Sequence, residues 1–281
     1  MIDSRRVGVI GAGFVGQAVV RGFIDQVPDV RAFDTDIRKT THTLEEVLEC
    51  EFIFVCLPTP MEDVEGGRGD ISILEKFFDS VPKESKSIFI IKSTVPIGTT
   101  RHLSEKTGLK IVHNPEFLTE RAAVTDFITG TRQIVGGSDS WAINEVGQLL
   151  KSRFPMCPVF LMKPEESELV KYIANGFLAT KIMFFNEAKL LSDKMGLNWD
   201  LIMDGVLSDG RIAKSHTSVP GHDGDGGFGG KCFPKDINAL IAVMEDHEIE
   251  PLQLRATWEQ NKRIRKNWDW AKIEGAVKNK S

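Results

Sequence analysis

Val7-Gly8-Val9-Ile10-Gly11-Ala12-Gly13-Phe14-Val15-Gly16 is the stretch that decides the fold. Val7 to Ile10 reads as a short buried strand, and the residues after Gly13 read as a helix running to about Asp25. Glycines at 11, 13 and 16 give GxGxxG spacing between strand and helix, the context in which that weak motif gains meaning. They allow a tight turn and the close approach of a pyrophosphate, whose charge the helix N-terminus favours. A second strand, Val30-Arg31-Ala32-Phe33, ends at Asp34, 18 positions beyond Gly16, where a carboxylate accepts ribose hydroxyls. Gly11, Gly13, Phe14, Val15, Gly16 and Asp34 are therefore candidate NAD contacts. Asp34 disfavours the additional phosphate of NADP, while Arg38 and Lys39 keep that cofactor open.

Outward from this stretch, strands and helices alternate. Phe52 to Leu57, Ile88 to Ile91 and Lys110 to His113 read as strands, followed by Gln133 to Val135 and Val159 to Leu161. Helices fall near 44–49, 71–80, 99–106 and 141–153, and an acidic, glycine-rich loop spans Glu62 to Asp70. The alternation predicts an α/β fold with a parallel, doubly wound sheet, whose ligands bind beyond the carboxyl ends of the strands. Asp34, Thr59, Thr94 and Glu116 all fall there. Alone, Thr59 and Thr94 read as strand-ending turn residues, and Glu116 as a surface carboxylate or helix cap; together they predict one crevice.

After Pro164 the pattern becomes helical. Leu169, Ile173, Phe177, Phe184, Ala188 and Leu191 recur at helical spacing. Lys171, Asn175 and Asn186 share another face, readable as a solvated stripe or as a functional one. A helix near 199–207 leads to Arg211 and an aperiodic loop to Gly227, long enough to suggest a functional role. Then comes Gly226-Gly227-Phe228-Gly229-Gly230-Lys231-Cys232-Phe233-Pro234-Lys235-Asp236, where Lys231 and Lys235 flank a cysteine whose thiolate they would stabilise. Helices are expected from Lys235 to about His247 and from Leu252 to about Trp270, with a basic frayed tail over 277–281. The expected division is an NAD-binding domain over 1–162 and a helical domain over 163–281.

Composition narrows the function classes. The chain has 281 residues and a net charge of −5, which gives no support to nucleic-acid binding. Cys50, Cys56, Cys157 and Cys232 are scattered without CxxC or Cys/His spacing, so neither a disulfide framework nor a metal site is expected. The first three of these sit in or beside apolar strands and read as core. Asp223 and Asp225 superficially suggest a calcium loop, but the later ligand positions are missing. No signal-like N-terminus and no apolar run of about 18 residues is present, so a cytoplasmic location is expected.

These residues together resemble the UDP-glucose/GDP-mannose dehydrogenase family. The resemblance is carried by Val9 to Gly16, Leu57-Pro58-Thr59-Pro60, Ser93-Thr94-Val95-Pro96-Ile97-Gly98-Thr99 and Asn114-Pro115-Glu116-Phe117-Leu118-Thr119-Glu120. Lys171-Tyr172-Ile173-Ala174-Asn175 and Gly227 to Asp236 complete it. It implies a Rossmann domain followed by a helical central domain that carries the cysteine loop and forms a homodimer. It implies NAD-dependent, four-electron oxidation of a nucleotide sugar's 6-hydroxymethyl to a carboxylate, UDP-glucose being the expected substrate. On the same resemblance Cys232 matches the nucleophile, Lys171 the lysine that stabilises negative charge on the substrate oxygen, and Asn175 its companion. Thr94 and Asp236 match the pair that holds water, and Glu116 a base for hydrolysis. Thr59, Thr94, Glu120 and Arg38 are cofactor candidates. Glu116, Phe117, Leu118, Lys171, Asn175, Phe228 and Gly229 are substrate candidates, and Arg211 resembles an arginine that reaches sugar in a neighbouring subunit. Family members continue into a further nucleotide-holding domain, beyond the part that this resemblance covers. Two alternatives stay open: a two-electron dehydrogenase of a smaller hydroxy compound, and a non-catalytic NAD-binding homologue.

Overall fold

The computed structural model describes residues 5–278. The chain divides into two compact units, residues 1–59 with 70–171 and residues 60–69 with 172–281.

The first unit contains β1 (Val7–Ile10), α1 (Phe14–Phe23), β2 (Val30–Phe33), α2 (Leu44–Leu48) and β3 (Phe52–Val55). A hairpin of β4 (Met61–Asp63) and β5 (Gly66–Gly69) follows in sequence but belongs to the second unit. The first unit resumes with α3 (Ser72–Ser80), β6 (Ile88–Ile91), α4 (Thr99–Thr107), β7 (Lys110–His113) and α5 (Ala123–Ile128). It closes with β8 (Gln133–Gly137), α6 (Ser140–Arg153), β9 (Val159–Met162) and the first turns of α7 (Pro164–Lys194). Its sheet has the order β2-β1-β3-β6-β7-β8-β9. The direction of winding reverses between β1 and β3, which places the ligand crevice beyond their carboxyl ends.

Strand alternation accounts for burial on both faces. Val7, Val9, Phe54, Ile90 and Val112 point to one side and pack with Phe23, Phe127 and Leu149. Ile10, Ile53, Val55, Phe89, Ile91 and Ile111 point to the other and pack with Leu74, Phe78 and Leu103. Each such side chain contributes about 1.5–3 kcal/mol by leaving water, and a sheet covered on both faces needs apolar residues at nearly every strand position. Local signals set the helix starts: Thr43 and Glu46 form a capping box on α2, and Asp139 caps α6. One pair departs from the predicted parallel order. β8 runs antiparallel to β7 and then pairs parallel with β9.

The second unit contains the β4/β5 hairpin, the remainder of α7, α8 (Trp199–Leu207), α9 (Phe233–Asp246) and α10 (Leu252–Ile264). Its core gathers Met61, Ala179, Met183, Phe228, Ile237, Trp258 and Trp270. The stretch expected as a loop over 62–70 is this hairpin, held by distant tryptophans. Trp258 Nε1 donates to Glu65 O at 2.9 Å and Trp270 Nε1 to Val64 O at 3.0 Å. Nor is the start of the expected frayed tail loose. Met61 N donates to Ala276 O and Lys278 N to Met61 O, both at 2.8 Å, and the remaining tail residues, 279–281, lie outside the described range.

α10 also stops before the predicted Trp270. Arg265 turns extended, with φ −74° and ψ 124°. Its buried guanidinium reaches Asp223 Oδ2 at 2.6 Å and Asp269 Oδ1 at 3.2 Å, while Lys266 N and Asn267 N donate to Asp225 Oδ2 at 3.1 and 2.8 Å. Burying a cation without partners is costly, and a continued helix would hold the backbone amides of 266 and 267 within its own ladder.

Candidate active site

The dinucleotide features sit as the spacing predicts. Gly11 has φ +85°, and a Cβ there would lie 2.8 Å from Cys56 O. A Cβ on Gly16 would lie 2.0 Å from Gly11 O, so the turn closes only with glycine at these positions. Gly13 opens α1 with no side-chain cap, and a Cβ there would meet nothing within 4 Å. With no side-chain cap, the first amides of α1, including those of Phe14 and Val15, are the donors an anionic group would use. Asp34 accepts from Ala12 N at 2.7 Å and from Asp36 N at 2.8 Å. Arg38 is paired with Asp36 at 2.9 Å, and Lys39 approaches the same carboxylate at 3.5 Å. With both cations turned to Asp36, the acid at the end of β2 fits a ribose without a 2′-phosphate.

The first unit also assembles a buried polar cluster beyond β6 and β7. Thr59 Oγ1 donates to Thr94 O at 2.7 Å, joining two predicted site residues while committing the Thr59 proton to the backbone. Lys171 Nζ donates to Glu116 O at 2.7 Å and to Glu116 Oε1 at 2.9 Å, and Leu118 N donates to Glu116 Oε2 at 2.6 Å. Lys171 and Glu116 are 2% and 6% exposed, so this ion pair is desolvated and breaking it would strand a charge. Lys171 also lies 5.5 Å from the centre of the Phe117 ring. A cavity of about 340 Å³ opens beside Glu116, Phe117, Leu118, Lys92, Arg132 and Gln133. Burial lowers the Lys92 ammonium to about 8; its Nζ donates to Asn114 Oδ1 at 2.8 Å. Glu120 is exposed in a short 3-10 turn outside this cluster.

The second unit holds the cysteine loop. Cys232 is the N-cap of α9, where the backbone dipole favours negative charge. Asp236, one turn into that helix, is fully buried and accepts from Asn175 Nδ2 and from Lys235 Nζ, both at 2.5 Å. Lys235, one of the two lysines flanking the cysteine, thus pairs with Asp236. Asn186 Oδ1 accepts from Gly227 N at 2.9 Å. The polar face of α7 read in sequence is therefore a buried one. Arg211 is 89% exposed and forks onto Asp209.

Burial pushes the Cys50 thiol up to about 11 and the Cys56 thiol to about 12, and raises Cys157 as well. All three are poor nucleophiles in place. Among the described residues no group of three His, Cys, Asp or Glu side chains could hold a metal ion, and no helix is long and apolar enough to cross a membrane.

The UDP-glucose/GDP-mannose dehydrogenase NAD binding domain matches residues 30–153, and the central domain of the same family matches residues 165–263. The chain belongs to the UDP-glucose/GDP-mannose dehydrogenase family. Its first unit carries the family's NAD-binding domain, and NAD is its cofactor. UDP-glucose 6-dehydrogenase of Rickettsia prowazekii is 33% identical over 243 residues, covering 82% of this chain and 54% of that protein. The chain spans about half the length of the curated relatives it matches. Among solved structures, a UDP-glucose dehydrogenase from Pyrobaculum islandicum superposes with a TM-score of 0.80 at 28% identity, over 93% of this chain and 69% of that one. A 3-hydroxyisobutyrate dehydrogenase from Mycobacterium tuberculosis shares the fold, with a TM-score of 0.75 at 17% identity over 98% of this chain and 97% of that one.

Beside the family motifs stand residues that the sequence reading missed. Asn261 is fully buried; its Oδ1 accepts from Phe228 N at 2.7 Å and its Nδ2 donates to Phe228 O at 3.0 Å. Asp269 accepts from Gly230 N at 3.2 Å. With Arg265, these side chains fix the backbone just before Cys232. Their only sequence signal is helical spacing: 261, 265 and 269 are each four apart.

Proposed function

We propose that this chain oxidises the 6-hydroxymethyl of a nucleotide sugar, UDP-glucose, to the carboxylate in two successive two-electron steps. The observation that carries the reading is the buried Asp236 carboxylate, held by Asn175 and Lys235 one turn beyond an N-capping cysteine. A thiol-only structural turn has no need of a fully desolvated acid fixed from two sides. Relatives named UDP-glucose 6-dehydrogenase support the substrate.

NAD supplies the acceptor for both hydrides, and the chain's own groups do the rest. Lys171 stabilises the negative charge that develops on the sugar oxygen as the alcohol loses its proton, with Asn175 as companion donor. The Cys232 thiolate adds to the aldehyde carbon, forming a C–S bond and a thiohemiacetal alkoxide. Loss of the second hydride converts this to a thioester. Water held by Asp236 and Thr94 adds to the thioester carbon and loses a proton to Glu116, and the thiolate leaves. One alcohol, two NAD and one water thus give one carboxylate, two NADH and three protons. Phe117, Leu118, Phe228 and Gly229 line the sugar's path, and Thr59 and Glu120 contact the cofactor.

The active form is a homodimer through the helical unit. On α7, Ile173, Phe177, Phe184 and Leu191 are 57%, 66%, 65% and 62% exposed while the polar face is buried. A row of large apolar side chains left in water on one helix marks an association surface. Arg211, extended into solvent, would reach the partner's sugar.

The deciding measurement is NADH formed per UDP-glucose consumed. Two per sugar, with acid release abolished in Cys232→Ser, is the expected result. Two-electron oxidation of a smaller hydroxy compound is the alternative reading, and it gives one NADH per substrate. Binding of NAD with no turnover across nucleotide sugars and hydroxy acids would leave the non-catalytic reading.

A further inference from the structure

α4 begins without a cap of its own. Its N-cap is Gly98, with φ +93° and no side chain to accept the first amides. The missing acceptor comes from α7. Glu168 Oε2 accepts from Gly98 N at 2.6 Å, while Oε1 accepts from Thr100 N at 2.8 Å and from Thr100 Oγ1 at 2.6 Å. A carboxylate at a helix N-terminus satisfies orphan donors and complements the dipole. This one is 1% exposed, so its contacts are not diluted by water.

The position matters because of what stands at either side. Gly98 ends the loop that follows β6 and carries Thr94. Lys171 lies three residues after Glu168 on the same face of α7 and is bonded to Glu116 in the loop that follows β7. Two more contacts flank this line: Arg101 forks Glu165 at 2.5 and 3.0 Å, and Ser167 Oγ meets His113 Nδ1 at 2.9 Å. We propose that Glu168 is a positioning residue for the reaction: by capping α4 it sets the register at which Lys171 meets Glu116, relative to the loop bearing Thr94. This rests on the functional reading above.

The same carboxylate gives the register a pH dependence. Burial pushes it up to about 7, against the pull of its Thr100 and Gly98 donors, and Glu165 one turn earlier pushes the same way. Arg101 on α4, paired with Glu165, is a cation whose charge feels both carboxylates. Lys171 on α7 is committed to Glu116, and His113 on β7 is held neutral, lowered to about 3 by burial. Below about pH 7 the protonated acid loses part of its capacity to accept from three donors.

Glu168→Gln tests this, with Thr100→Val as a milder change that removes one of the three contacts. Glu168→Gln should lower kcat roughly tenfold to a hundredfold, the cost of a small misplacement of catalytic groups, with KM for NAD held within about twofold. Wild-type kcat should fall below about pH 7, and this limb should vanish in the variant. In a Lys171→Met background the same change should cost less than about twofold, because its effect acts through the lysine. An unchanged kcat, or a full-sized loss in the Lys171→Met background, overturns the proposal. Hydrogen exchange separates its failure from failure of the functional reading. Even in a chain that turns over no nucleotide sugar, Glu168→Gln should speed exchange at Leu118 as well as at Gly98 and Thr100. Acceleration confined to Gly98 and Thr100 would make Glu168 a local cap and overturn the proposal.

Discussion

Asn261→Ala removes the side chain that brackets Phe228, four residues before Cys232. The carboxamide is fully buried and supplies both partners of the Phe228 backbone, accepting from N at 2.7 Å and donating to O at 3.0 Å. Alanine leaves a buried N–H and a buried C=O unpaired, each at about 1–3 kcal/mol. Gly227 cannot supply a replacement group, and its φ of +66° opposes any other side chain there. The expected loss is therefore about 2–6 kcal/mol, with a central value near 4. At about 2–4 °C per kcal/mol, that central value lowers the melting midpoint by about 8–16 °C. Denaturant unfolding followed by tryptophan fluorescence reads it in the correct unit. Trp258 lies 6.2 Å from the Phe228 ring, Trp270 packs on Trp258 at 5.5 Å, and both are buried. Exchange at the Phe228 amide should rise in parallel, and kcat should fall with the loosened loop. A loss below about 1 kcal/mol, or a full-sized loss with Phe228 still protected, would refute the claim that Asn261 holds this loop.

Three further outcomes are expected. Asp34→Ala should raise KM for NAD about tenfold to a hundredfold by removing a charged acceptor, with a much smaller effect on kcat, read from initial rates at varied NAD. Phe177→Glu with Phe184→Glu should convert the proposed dimer to monomers by sedimentation, with each unit still folded by circular dichroism, since both side chains are more than half exposed in the single chain. Stability should fall as pH drops through the His113 window. Its folded value is lowered to about 3 by burial against an ordinary 6.5, so its contribution is complete above 6.5 and is lost progressively toward 3. The denaturant midpoint should therefore decline more steeply on the acid side than in His113→Asn, and equal slopes would remove His113 as the cause.

The parts legible in the sequence are those whose determinants lie close together along the chain. Gly11 to Asp34 could be read because one βαβ unit contains the turn, the helix N-terminus and the acid. The shared face of Lys171, Asn175 and Asn186 could be read because a helix repeats. Whether that face was buried could not, since the apolar residues at Phe177 and Phe184 suggest the opposite side as core. The hairpin at 61–69 was hidden by its acidic and glycine-rich composition, and what holds it is Trp258 and Trp270, about two hundred residues away. The end of α10 was illegible for the same reason. Helical spacing continues past Ile264, but the backbone turns to pair a buried Arg265 with Asp223 and Asp269.

The glycines before Cys232 show how the local and distant causes combine. Read alone, they suggest backbone freedom, and Gly227 and Gly230 do have positive φ. Gly229 does not require it, yet a Cβ there would lie 2.2 Å from Asp269 Oδ1 and 2.4 Å from Arg265 Nη2. A Cβ on Gly227 would lie 2.2 Å from Asn261 Oδ1. The volume beside these glycines is already filled by the carboxamide, guanidinium and carboxylate that bond to the adjoining backbone at Phe228, Gly226 and Gly230. Glycine is thus required by close approach as much as by conformation, and the turn is fixed from outside. That distinction bears on the chemistry. A freely hinged loop would have to pay ordering entropy each time Cys232 attacked a carbon, whereas a turn clamped by Asn261, Arg265 and Asp269 has lost that freedom on folding. The segment that follows α9 therefore belongs to the working parts of the cysteine loop, although no group in it takes part in the proposed bond making.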